Sequence, residues 1–67
     1  MKISARNQIK GKILEEGATT AHIRVEIGPK QVITSSITNE AVDDLGLKVG
    51  GTAFVIIKAS DVMIAVE

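Results

Sequence analysis

The 67-residue chain contains no cysteine, no tryptophan and no tyrosine, and phenylalanine occurs once, at Phe54. Without cysteine there is neither a disulfide framework nor a thiolate metal site, and a lone His22 cannot build a zinc centre without several carboxylates beside it. The scarcity of rings removes the stacking platforms that hold single-stranded nucleic acids. Charge of one sign is lacking as well. Eight Lys and Arg balance eight Asp and Glu, so no overall field draws in a polyanion or an acidic membrane. No apolar run approaches transmembrane length, and "MKISARN" puts charge and hydroxyls where a secretory signal needs an uninterrupted apolar stretch. The expectation is a soluble, cytoplasmic protein with neither nucleic-acid nor membrane partners, whose affinity for any anion must be built locally.

Catalytic apparatus is equally sparse. There is no Ser/His/Asp set at workable spacing, no pair of carboxylates on a periodic face, and no glycine-rich phosphate loop, Gly50-Gly51 being too short for one. Glu15-Glu16 and Asp43-Asp44 fall in a turn and on a helix surface, where they read as solvating charge. The chain is expected not to be an enzyme.

What the chain does have is aliphatic surface. Apolar residues make up 45% of it, a large share for a single domain spanning 1–67 that can only partly enclose its own core. With disulfides and structural metals excluded, oligomerisation is the remaining reinforcement.

From Gln8 to Leu14, Ile9, Gly11 and Ile13 point one way while Gln8, Lys10 and Lys12 point the other, the period-two pattern of a half-buried strand. "TAHIRVEI" repeats it, with Ala21, Ile23, Val25 and Ile27 on one face, and "EEGAT" between the two reads as a hairpin turn. "GPK" breaks the second strand and "QVITSSI" begins a third. In "TNEAVDDLG" the period changes: Ala41, Val42 and Leu45 fall at helical spacing, Thr38 can cap, Glu40 suits the first turn and Gly46 the stop. "TAFVIIK", apolar on both faces, reads as a strand covered on both sides. After "ASD", "VMIAV" reads as a fifth strand. The fold class expected is all-β with one short helix, in the element order of a five-stranded OB-like barrel.

Three places could meet to hold an oxyanion. Ser4 and Arg6, two apart on an extended segment, emerge from one face about 7 Å apart. Lys58 ends an apolar strand and is followed by Ala59 and Ser60 in a bend with backbone N–H groups to offer. Thr38, at the helix start, adds a hydroxyl where peptide dipoles favour negative charge. All of these are donors, the chemistry suited to an ion that can only accept. Each has a plainer reading: a solvated strand end for Arg6 and for Lys58, an ordinary cap for Thr38, and a solvated histidine for His22 on its polar face between Thr20 and Arg24.

"SARNQIKGKI", "ITNEAVDDLGLKVG" and "KASDVMIA", in this order and spacing, carry a resemblance. The chain resembles the molbindins, the small Mop proteins that bind molybdate and tungstate, along almost its full length, as one copy of the module. The resemblance implies an OB-like barrel that swaps a strand between subunits and a hexamer assembled as a trimer of dimers. It implies molybdate or tungstate as the bound ligand, with no organic cofactor and no directly ligated metal. Carried onto this chain, the interfacial site would use Ser4, the backbone at Ala5, Arg6, Lys58, Ala59, Ser60 and Thr38. A second class of site on a symmetry axis has His22 as its one weak candidate. Where some related modules carry a further hydroxyl in the helix, this chain has Ala41. The function implied is cytoplasmic binding, storage or buffering of these oxyanions. The rivals are a nucleic-acid-binding OB domain of cold-shock type, which the ring and charge counts oppose, and a purely structural oligomerisation module.

Overall fold

The computed structural model describes residues 1–16 and 21–67. Strand β1 runs Asn7–Glu16, β2 Ala21–Gly28 and β3 Gln31–Ile37. Helix α1 spans Asn39–Leu45, β4 spans Thr52–Ile57, and a single 3₁₀ turn follows at Ala59–Asp61. The strands form one antiparallel sheet in the order β3-β2-β1-β4. Of the turn expected at "EEGAT", Glu15 and Glu16 instead continue β1, paired with Arg24 and Ile23, and the rest lies outside the described residues.

Alternation dictates which face of the sheet is buried. Ile13, Ile23 and Val25 point inward from β1 and β2 and meet Val42 of α1, and these four are the buried core. Ile27, Ile37, Leu47, Ala53 and Val55 pack around them. Two irregularities bend the sheet into a half-barrel. The β1–β2 register shifts between Ile13 and Glu15, and the β2–β3 register shifts between Glu26 and Gly28, each adding local twist. Gly11 sits at the inside of that curl: a Cβ there would lie 2.5 Å from Val25 Cγ1 and 2.6 Å from the Glu26 carbonyl oxygen. Only a residue without a side chain allows so close an approach.

Helix α1 is short and is held by its ends. The Thr38 hydroxyl accepts from the Ala41 N–H at 3.1 Å. At the other end Gly46 turns left-handed (φ 64°), its N–H donating to Asp43 O and the Leu47 N–H to Val42 O, the paired bonds of a Schellman cap. The "KVGG" turn then docks on β1: Gly50 N–H donates to Ile13 O at 2.8 Å and Ile13 N–H to Gly51 O at 2.9 Å. The turn at "GPK" pairs proline with Lys30 in the left-handed region (φ 59°), the one non-glycine residue with positive φ among those described.

Three further expectations are corrected. Among the described residues the sheet has four strands and is open, because "VMIAV" pairs with none of them; Met63, Ile64 and Val66 are 93%, 87% and 92% exposed. Strand β4 is not covered on both faces. Among the described strands it is an edge bonded to β1 alone, and Phe54 is 52% exposed. Leu45 shares the helical spacing of Val42 yet stays exposed, because it overhangs an apolar cleft of about 190 Å³ that it lines with Phe54, Leu47 and Ile37. All three have one physical cause: among the described residues β3 and β4 are both free edges, and the apolar interior between them has no wall.

Candidate functional site

The two ends of the chain are brought together by the β1–β4 ladder. Asn7 pairs with Ile57, so Arg6 and Lys58 each stand one residue beyond the last rung, side by side. Two amide side chains fix this corner. Asn7 Nδ2 donates to Ile57 O at 3.1 Å across the ladder, and Gln8 Nε2 folds back to donate to Ala5 O at 3.0 Å. The first ties the two strands where the cations emerge, and the second holds the bend that presents Ser4, Ala5 and Arg6.

Beyond Lys58 the 3₁₀ turn takes over. Asp61 N–H donates to Lys58 O at 2.9 Å and Val62 N–H to Ala59 O at 3.3 Å. As in any helical first turn, the leading N–H groups, those of Ala59 and Ser60, have no carbonyl partner among the described residues.

Six of the residues singled out from the sequence, Ser4, Ala5, Arg6, Lys58, Ala59 and Ser60, line one open cleft of about 530 Å³. Among the described residues neither Arg6 nor Lys58 makes an ion pair. The cleft therefore holds two uncommitted cations, two hydroxyls and two free N–H groups, a donor-rich set for an anion with acceptor oxygens all round. Ile3 and Ile56 add apolar wall, and Asp61 adds a carboxylate.

Two expected residues do not join it. Thr38 is occupied as the α1 cap and does not line the cleft. His22 lies exposed on the outer face of β2, opposite Ser36 of β3. No group of three or more His, Cys, Asp or Glu side chains able to hold a metal ion occurs among the described residues, and none of their helices is long and apolar enough to cross a membrane. Sequence reasoning missed the tethering amides and Asp61. The signal was in "SARNQ" and "ASD", polar residues next to the cationic pair that read as solvated.

The chain is similar to known proteins at every level compared. The sequence profile of the TOBE domain matches residues 3–64. A probable molybdenum-pterin-binding protein of Haemophilus influenzae is 48% identical over 69 residues, covering the whole of both chains. Among solved structures, MopII from Clostridium pasteurianum matches with a TM-score of 0.84 at 42% identity, over 97% of this chain and 100% of that one. A molybdate-binding protein from Sporomusa ovata matches with the same TM-score at 28% identity, over 97% of this chain and 98% of its own.

Proposed function

The chain belongs to the TOBE-domain family, among its small Mop proteins, and from that premise we propose that it binds molybdate, and tungstate equally, for storage or buffering in the cytoplasm without catalysing a reaction. The observation that carries this reading is the placing of Arg6 and Lys58, neither ion-paired among the described residues, at one corner with hydroxyl and N–H donors beside them and a single carboxylate, Asp61, in the same cleft. Among the described residues no aromatic ring and no side-chain amide lines the cleft. The site therefore suits an inorganic anion better than an organic pterin.

The cleft is too open to be the finished cage. It is open to solvent, so an oxyanion seated against Arg6 and Lys58 would keep water on its outer side. A second surface must narrow it. We infer that other copies of this chain provide that surface, in a hexamer built as a trimer of dimers. In this arrangement the exposed "VMIAV" segment of one copy lies along the free β3 and β4 edges of another and completes its barrel. Thr38 of a neighbouring copy faces the cleft, capping its own helix and contacting the anion at once. Enclosure then makes two cations worth far more than they are in open water. Sulfate shares the charge and the tetrahedral shape, so the size of the closed cage selects against it.

The test is isothermal titration with molybdate, tungstate and sulfate on a sample whose mass is known from light scattering. The expected result is a particle near six times the 7.1 kDa chain, tight binding of molybdate and tungstate, and weak sulfate. A well-folded oligomer giving no heat with any of the three is the result for a purely structural module.

A further inference from the structure

Asp61 is out of place in an anion site. It lines the same cleft as Arg6 and Lys58, and its own N–H is tied to the Lys58 carbonyl at 2.9 Å, so its position follows that of the lysine. Among the described residues its carboxylate makes no ion pair with either cation, so its charge is not cancelled locally. The side chains lining the cleft therefore carry a net charge of +1 where the two cations alone would carry +2. A carboxylate only accepts hydrogen bonds. Opposite a fully deprotonated dianion it repels and has nothing to accept. Opposite an anion that keeps an O–H, such as hydrogen phosphate, it has a donor to meet.

Building on the oxyanion reading above, we propose that Asp61 limits affinity in this cleft, opposing acceptor-only dianions so that molybdate is held reversibly instead of being trapped. It opposes molybdate and sulfate alike, and hydrogen phosphate less. Selection by size and setting of affinity are then separate tasks, one done by the closed cage and the other by this carboxylate.

Asp61→Asn removes the charge and keeps the shape, Asp61→Glu keeps the charge, and Asp44→Asn changes an exposed helix acid outside the cleft. Titrating the full assembly of each with molybdate, sulfate and hydrogen phosphate gives the answer, with melting curves to check folding. The expected result is molybdate and sulfate binding tightened at least about 3- to 10-fold in Asp61→Asn, the scale of one unit charge acting through water, which enclosure in the assembly increases. Hydrogen phosphate should gain less, molybdate release should slow, and the other two variants should match the native chain. Unchanged or weakened molybdate binding in a folded Asp61→Asn overturns the proposal, as does an equal gain for hydrogen phosphate. A native chain that binds no molybdate overturns the oxyanion reading itself and leaves no affinity to limit. A native chain that binds while Asp61→Asn behaves identically overturns only the role of Asp61.

Discussion

The middle of the chain and its two ends are built on different terms. Residues 7–57 hold the sheet, the helix, every paired strand and all four buried core side chains. Residues 1–6 and 58–67 contain no buried side chain, yet they supply both cations of the site. The middle builds its core within one chain and leaves only the β3 and β4 edges and the cleft at Leu45 and Phe54 open among the described residues. The ends present donors and aliphatic side chains that no described residue matches. On the proposed reading, stability is a property of the middle, and binding a property of the ends once they meet a partner surface. Substitutions should sort accordingly.

The largest effect is expected at the ends. Arg6→Gln should weaken molybdate binding by at least about a hundredfold, the loss typical when one member of an enclosed charge-assisted contact is removed, while the thermal midpoint hardly moves, since Arg6 is exposed in the single chain. Titration and a melt on one preparation check both halves. A variant that also unfolds would place the N-terminal segment in the folding unit and break the division.

Gly11→Ala is the converse. Its Cβ must enter the space of Val25 and of the Glu26 carbonyl, and a backbone oxygen in a strand cannot swing aside. The expected cost is about 2–3 kcal/mol in urea unfolding. Thr38→Ala tests the one residue assigned to both regions. Losing the bond to the Ala41 N–H should cost about 1 kcal/mol. If the same hydroxyl also faces a neighbour's anion, affinity falls too, and Thr38→Ser restores both. The smallest effect is a gain: Lys30→Gly relieves a left-handed side-chain position and should add roughly 0.5–1 kcal/mol with binding unchanged.

Most of the middle could be read directly from the sequence, because its signals are local. The alternation of Ile9, Gly11 and Ile13, the inward set Ile23, Val25 and Ile27, and the Thr38 and Gly46 caps each depend on a few neighbouring residues. The fifth strand misled for the opposite reason. "VMIAV" has strand composition, but composition reports what a segment favours and not which chain supplies its neighbour. The two-sided cover expected for β4 failed on the same ground. At the site, Ser4, Arg6, Lys58, Ala59 and Ser60 were legible as donors. Their meeting rests on the Asn7–Ile57 register, which period-two alternation does not specify. Asn7, Gln8 and Asp61 look like ordinary solvated side chains in a linear string, and only their positions reveal a tether, a bend and an opposing charge.

The bond from Asn7 to Ile57 joins residues 50 apart in sequence. Closing so long a loop is among the costlier and later steps of folding, since chain entropy must be lost before any contact returns it. An incomplete or partly frayed polypeptide therefore has Arg6 and Lys58 as two separate charges and no place to concentrate an anion. Ligand, in turn, can stabilise only molecules in which that closure has happened. If the cleft holds oxyanion as proposed, loading acts as a check on the protein's own completion: chains that have not brought their two ends together do not sequester the cargo.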